Sequence, residues 1–145
     1  MSKKINSILV IVVLAANAAL AQRPSAGVKS KANAAQPDLK ITEYQFSPGN
    51  DKAMKVHVLN GGGAASALCV LRLTVRKING VSVGRVAEVK LPAIAANSDK
   101  WIVVDAKSIL PNNVSLESTT FRLNADASEI VAESDETNNE LWHNL

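Results

Sequence analysis

Residues 69–91 constrain the fold more than any other stretch of this chain. Cys69, Leu71, Leu73 and Val75 alternate with Val70, Arg72, Thr74 and Arg76. A period of two puts successive side chains on opposite faces, so this run predicts a strand with one buried face. Asn79-Gly80 follows, then Val81-Ser82-Val83 and the run Val86 to Leu91. An Asn-Gly pair between two such runs is a strong hairpin signal, because both central residues of a type I′ turn need positive φ. A chain that must form this hairpin has to bury its apolar face against a second layer.

The same alternation recurs. Met54, Val56 and Val58 alternate with Lys55 and His57, and Phe121, Leu123 and Ala125 alternate with Arg122, Asn124 and Asp126. Further strands are expected over Leu39 to Phe46, Lys100 to Asp105 and Glu140 to His143. Turn signals separate them at Ser47-Pro48-Gly49-Asn50, Asn60-Gly61-Gly62-Gly63, Asn97-Ser98-Asp99 and Pro111-Asn112-Asn113. No stretch carries a sustained helical period. About seven short strands at this spacing predict an all-β, antiparallel two-sheet sandwich of immunoglobulin-like type.

The N-terminus carries an export pattern. Lys3 and Lys4 precede an apolar run from Ile8 to Leu14, and Ala19-Leu20-Ala21 offers an A-x-A cleavage site. Residues 1–21 are therefore expected to be a signal peptide, residues 22–36 a flexible Ala-, Ser-, Lys- and Pro-containing linker, and residues 37–145 the folded domain. The apolar run is short for a membrane span, so no stable span is expected after cleavage. The expected address is secreted or periplasmic.

Charge must be counted without the leader. The formal +3 of the whole chain includes Lys3 and Lys4. Arg23, Lys29 and Lys31 lie before Asp38, which leaves 11 basic and 13 acidic residues over 38–145, a balance of −2. No basic stripe interleaved with stacking aromatics is visible, so a nucleic-acid partner is not expected. Cys69 is the single cysteine, so no intrachain disulfide can form and an exported domain must rest on its core.

Catalytic patterns fail on context. Gly80-Val81-Ser82-Val83-Gly84 matches G-x-S-x-G, but that motif needs a strand, a sharp turn and a helix, and here it spans a hairpin and a strand. Cys69 shares the inward face of its strand, as a buried structural thiol does. His57 belongs to the polar face, and neither His57 nor His143 has metal-ligand spacing. Gly61-Gly62-Gly63 lacks the Lys-Ser or Lys-Thr of a phosphate loop. Phe121 is expected inside, and so are Trp101 and Trp142, since aromatics dominate small sandwich cores.

The segment from Asp126 to Glu140 is the most polar. It holds Glu129, Glu133, Asp135, Glu136 and Glu140 with no Lys or Arg. Its first reading is a connection between two paired strands, with Asp and Asn side chains binding nearby backbone groups. Its second is a calcium site drawing on Asp126, Glu133, Asp135, Glu136 and Asn138, because calcium takes six to eight hard oxygen ligands. No other cofactor is expected.

Several pieces together resemble one family. They are Pro37-Asp38-Leu39, Val56-His57-Val58-Leu59-Asn60-Gly61-Gly62, Val89-Lys90-Leu91-Pro92-Ala93-Ile94, and Asp126 followed by Val131-Ala132-Glu133-Ser134-Asp135-Glu136-Thr137-Asn138-Asn139. In order and spacing they resemble the CARDB domain, the cell-adhesion-related domain found in bacteria. The family often has Gly where this chain has Asn97, a residue that also tolerates the left-handed region. The resemblance implies an immunoglobulin-like sandwich on exported or surface proteins, with roles in adhesion or binding. The expected function is an exported, non-catalytic binding module whose partner is a protein or surface ligand. The alternative is a structural subunit that associates through an edge strand.

Overall fold

The computed structural model describes residues 35–145; the signal peptide and most of the linker expected before them lie outside the described residues. Seven strands follow in chain order: β1 (Leu39–Phe46), β2 (Ala53–Asn60), β3 (Cys69–Ile78), β4 (Val81–Leu91), β5 (Ser98–Asp105), β6 (Thr119–Asn124) and β7 (Glu140–His143). Helix is limited, among the described residues, to one 3₁₀ turn at Leu116–Ser118. None is long and apolar enough to cross a membrane.

The strands form two antiparallel sheets, ordered β1-β2-β5 and β4-β3-β6-β7. This is the expected all-β sandwich. In the constant-type immunoglobulin arrangement the fourth strand belongs to the sheet of the first, second and fifth; here β4 pairs with β3 in the other sheet. The β3–β4 hairpin accounts for that choice. Ile78 pairs with Val81 across a two-residue loop, where Asn79 and Gly80 have φ of 51° and 78°. Both central positions are left-handed, as a type I′ turn demands. Asn97 is left-handed too, at φ 55°.

The period of two becomes the core. Cys69, Leu71, Leu73 and Val75 are all buried on β3, at the centre of the larger sheet. Phe121 and Leu123 of β6 continue that face, and Met54, Val56 and Val58 of β2 close it from the opposite sheet.

Buried polar groups tie the connections to this core. Asn60 is fully buried at the end of β2. Its Oδ1 accepts the amides of Asp38 (2.9 Å) and Gly62 (3.0 Å), while its Nδ2 donates to the carbonyls of Ala64 (2.8 Å) and Ile94 (2.9 Å). One amide side chain thus joins the entry to β1 with the β2–β3 and β4–β5 crossings. Lys52 is buried as well and donates to the carbonyls of Asn112 (3.0 Å) and Val114.

Gly62 lies where the entry strand passes. A Cβ added there would stand 2.2 Å from the carbonyl oxygen of Gln36, whereas one at Gly61 would meet only the Asp38 carboxylate at 3.6 Å. Backbone cannot swing away as a side chain can. Gly62→Ala should therefore cost about 1–3 kcal/mol as an overpacking change, and Gly61→Ala much less. Urea unfolding of the two variants checks this; equal midpoints would refute it.

Candidate functional site

The polar segment between β6 and β7 folds as a clasp. Asp126 sits one residue beyond Ala125 with φ 51°, a conformation that Asp tolerates better than most residues. Its two carboxylate oxygens accept the amides of Ile130 (3.0 Å) and Val131 (2.7 Å). Glu136 Oε1 accepts the amide of Glu133 (2.9 Å), and Asp135 Oδ1 accepts both the amide and the hydroxyl of Thr137 (2.9 and 2.6 Å). This is the turn chemistry expected of acids and amides in a connection.

The clasp also reaches across the molecule. Glu133 Oε2 accepts the amide of Leu39 at the start of β1, and its Oε1 accepts Asn139 Nδ2 at 2.8 Å. Asn138 Nδ2 donates to Asp38 Oδ1 at 2.9 Å, and the amide of Ser134 donates to the carbonyl of Pro37 at 3.0 Å. Three of these contacts fasten the segment just before β7 to the entry of β1, and the Asn139 contact braces Glu133 within the segment. Only 7% of Glu133 and 3% of Asp126 are exposed. Burial pushes the Glu133 carboxyl up to about 7, outweighing the two hydrogen bonds that favour its charged form. Hydrogen bonds from Thr137 hold Asp135 below the usual carboxylate range.

The five residues considered for calcium lie in one loop but do not form a cage. Asp126, Glu133, Asp135 and Glu136 spend carboxylate oxygens on backbone amides. Asn138 Oδ1 is buried without a hydrogen-bond partner, an oxygen that a water or a cation would satisfy. Even so, no three acidic, His or Cys side chains converge as a metal set among the described residues. The residues as folded do not fit a calcium ion. The outer side of the loop borders a cavity of about 620 Å³, lined in part by Glu129, Ile130, Glu136 and Glu140.

The nucleophile candidates are placed as structural residues. Ser82 is exposed on β4, opposite Lys77, with no helix after it. Cys69 is a buried free thiol, and burial, reinforced by the Asp126 carboxylate, pushes it up to about 12. Such a thiol has almost no thiolate at neutral pH. His143 packs face to face on Phe121 with centroids 4.8 Å apart, and its Nδ1 hydrogen-bonds the Tyr44 hydroxyl at 2.6 Å.

The two tryptophans overturn the sequence expectation. Trp101 is 42% and Trp142 46% exposed, on edge strands rather than in the core. In β5 the inward positions belong to Ile102 and Val104, and in β7 Leu141 lies opposite Leu123. The aromatic parity is therefore outward in both strands. Trp142 has Arg122 over its ring at 5.8 Å. Trp101 lies opposite His57, whose ring packs at 4.7 Å with a 32° tilt. His57 in turn is held by Thr42 Oγ1 at 2.6 Å and Asp99 Oδ2 at 2.8 Å.

Sequence reasoning missed the roles of Asn60 and Lys52. The Asn60-Gly61-Gly62 run was visible as a turn, but nothing local marks a buried amide that bonds three connections. No local signal marks Lys52.

The family model that matches the chain is CARDB, over residues 36–143. No curated protein matches it. Solved structures that resemble the domain include these two. One is a domain of a protein assigned to the cell surface of Methanosarcina acetivorans, with TM-score 0.55 and 21% identity, covering 74% of this chain and 88% of that one. Another is the CARDB domain of a Pyrococcus furiosus protein in complex with di-metal ions, with TM-score 0.50 and 19% identity, covering 74% of this chain and 84% of that one. At these identities the likeness establishes the fold.

Glu133 makes the clasp pH-dependent. Its folded pKa of about 7 lies above its ordinary value of 4.5. The folded state holds this proton more tightly, so the stability it contributes is full below about 4.5 and is lost as pH rises through about 7. Glu133→Gln mimics the protonated side chain. After an amide flip, Asn139 Oδ1, now buried and unpartnered, can accept from the new Nε2. The melting midpoint of this variant relative to wild type should rise from pH 5 to pH 8.5. A difference that is flat with pH would show that Glu133 is not the titrating group.

Proposed function

The chain belongs to the CARDB family, and on that premise we propose that it is an exported binding or adhesion module that catalyses nothing. One observation carries the reading: the chemically versatile side chains are spent on structure. Asp126 and Glu133 hold backbone amides, Cys69 is buried, and Ser82 stands on an open strand without a base. What faces outward is rigid sheet bearing Trp101 and Trp142, the kind of aromatic that anchors recognition surfaces. The likeness to a domain assigned to a cell surface agrees with this setting.

The test pairs binding with chemistry. The purified, fluorescently labelled chain should adsorb saturably to intact cells or envelope fractions. It should show no ester-hydrolysing or thiol-exchange activity above buffer. An activity lost on Ser82→Ala or Cys69→Ala would overturn the reading.

A second reading, assembly through an edge strand, is favoured by β4. It spans eleven residues, pairs on one side only with β3, and exposes Val81 and Val86. Such edges template pairing unless charges protect them, and Arg85, Glu88 and Lys90 interrupt this one. Light scattering after size exclusion decides. A dimer abolished by Val86→Lys supports assembly, and a monomer at all concentrations excludes it.

The Pyrococcus furiosus relative binds two metal ions, whereas the carboxylates of this clasp are engaged by backbone amides. The melting midpoint should therefore be the same in millimolar calcium and in chelator. A ligand that binds only the folded state must raise it, so a rise with calcium would assign the loop a cation after all.

A further inference from the structure

We propose that the outer face of the β1-β2-β5 sheet binds an acidic saccharide, its ring against Trp101 and its carboxylate against Lys55. The inference rests on the binding-module reading and gives it a site and a ligand class.

Register builds the site. Gln45 lies opposite Lys55, and Lys55 lies opposite Val103, so one row crosses all three strands. The next row on the same face sets His57 opposite Trp101. Gln45, Lys55, Trp101 and Val103 together line an open groove of about 580 Å³. Volumes of this order hold small organic ligands. Trp101 and Lys55 are diagonal neighbours, roughly 7–8 Å apart between backbones, a gap that the long lysine stem can bridge.

The platform is fixed in advance. His57 covers one side of the indole, and Thr42 and Asp99 hold the two ring nitrogens of His57. A ligand that stacks on the indole thus does not have to immobilise it first. Trp142 differs, because Arg122 already lies over its ring.

The polar groups beside the platform are uncommitted. Among the described residues, Lys55 has no ion-pair partner, and neither it nor Gln45 makes a side-chain hydrogen bond. Of the nearby acids, Asp99 pairs with His57 at 2.8 Å and Asp105 accepts the amide of Lys107 at 2.7 Å. Glu43, exposed opposite His57 in the Trp101 row, has no ion-pair partner among the described residues and leaves Lys55 as the cation that a ligand carboxylate must reach. The groove therefore offers a flat aromatic face, a planar amide that both donates and accepts, and one free ammonium. A pyranose uronate complements all three, with a C–H face, adjacent hydroxyls and a carboxylate. A protein partner fits less well. A standard interface needs about 800 Å² on each side, and here only Trp101 and Val103 are apolar, between charged neighbours.

The test uses the full chain carrying Trp142→Phe, which leaves Trp101 as its only indole. Polygalacturonate, galacturonic acid and neutral dextran are titrated separately, read by tryptophan fluorescence and calorimetry. Saturable binding of the uronates with a fluorescence change is expected, and none of dextran. Trp101→Ala should weaken binding about tenfold, on the order of one stacked aromatic contact, while Trp101→Phe retains most of it. Lys55→Gln should weaken uronate binding and remove its salt dependence. Both positions face solvent or the groove, so the variants should melt like the parent. Absence of saturable uronate binding, equal binding of dextran, or binding indifferent to Trp101→Ala would each overturn the proposal. Cell adsorption that survives Trp101→Ala would move the site elsewhere and leave the binding-module reading intact. A chain that adsorbs to no cell or envelope fraction would remove that reading itself. A protein captured through Trp101 in place of uronate would replace the saccharide.

Discussion

Everything in this domain depends on the apolar contact between its two sheets. With one cysteine in the chain, no disulfide can bridge them. The inward row of β3, from Cys69 to Val75, meets Met54, Val56 and Val58 of β2, with Phe121 and Leu123 beside it. Each fully buried side chain of this kind contributes about 1.5–3 kcal/mol. That sum stands against the conformational entropy of an ordered chain of the same size. A sandwich held in this way cannot leave its connections slack, because an unpaired backbone group near the core is costly.

The buried polar residues follow from that requirement. Asn60 bonds three connections at one end, and Glu133 fastens the segment before β7 to the first residue of β1. The Glu133 carboxyl is costly to bury in its charged form, and two hydrogen bonds offset only part of that cost. The acidic segment that invites a metal assignment from composition is therefore a fastening. Its Asp and Asn side chains substitute for the backbone partners that a tight turn cannot supply.

Once the core and its fastenings are accounted for, the outward faces remain for function. Alternation guarantees that each sheet has such a face, and the smaller sheet bears Trp101 on His57 beside Lys55 and Gln45. The sheet backbone holds these groups at fixed spacing, which a loop could not do as well. A module that binds without catalysis needs little more: a rigid surface, one oriented aromatic and a few free polar groups.

The amino-acid sequence by itself determined the strands and their main hairpin. Alternation over Cys69 to Arg76 and the Asn79-Gly80 pair are local properties, and they specify β3, β4 and the turn between them. Local information was also enough for the turn-forming role of the acidic segment, since Asp and Asn bond their own neighbourhood. It was not enough where both parities of a strand are apolar. In Trp101-Ile102-Val103-Val104 no alternation says which pair faces the core, and in Leu141-Trp142 either residue could be inside. Only the packing of β5 against β2 and of β7 against β6 decided this, by turning the smaller aliphatic side chains inward and the tryptophans out. Tertiary structure likewise brought Glu133 to the amide of Leu39, 94 residues away, and set β6 beside β3. Such contacts depend on how the layers close, and the sequence near each residue holds no record of that.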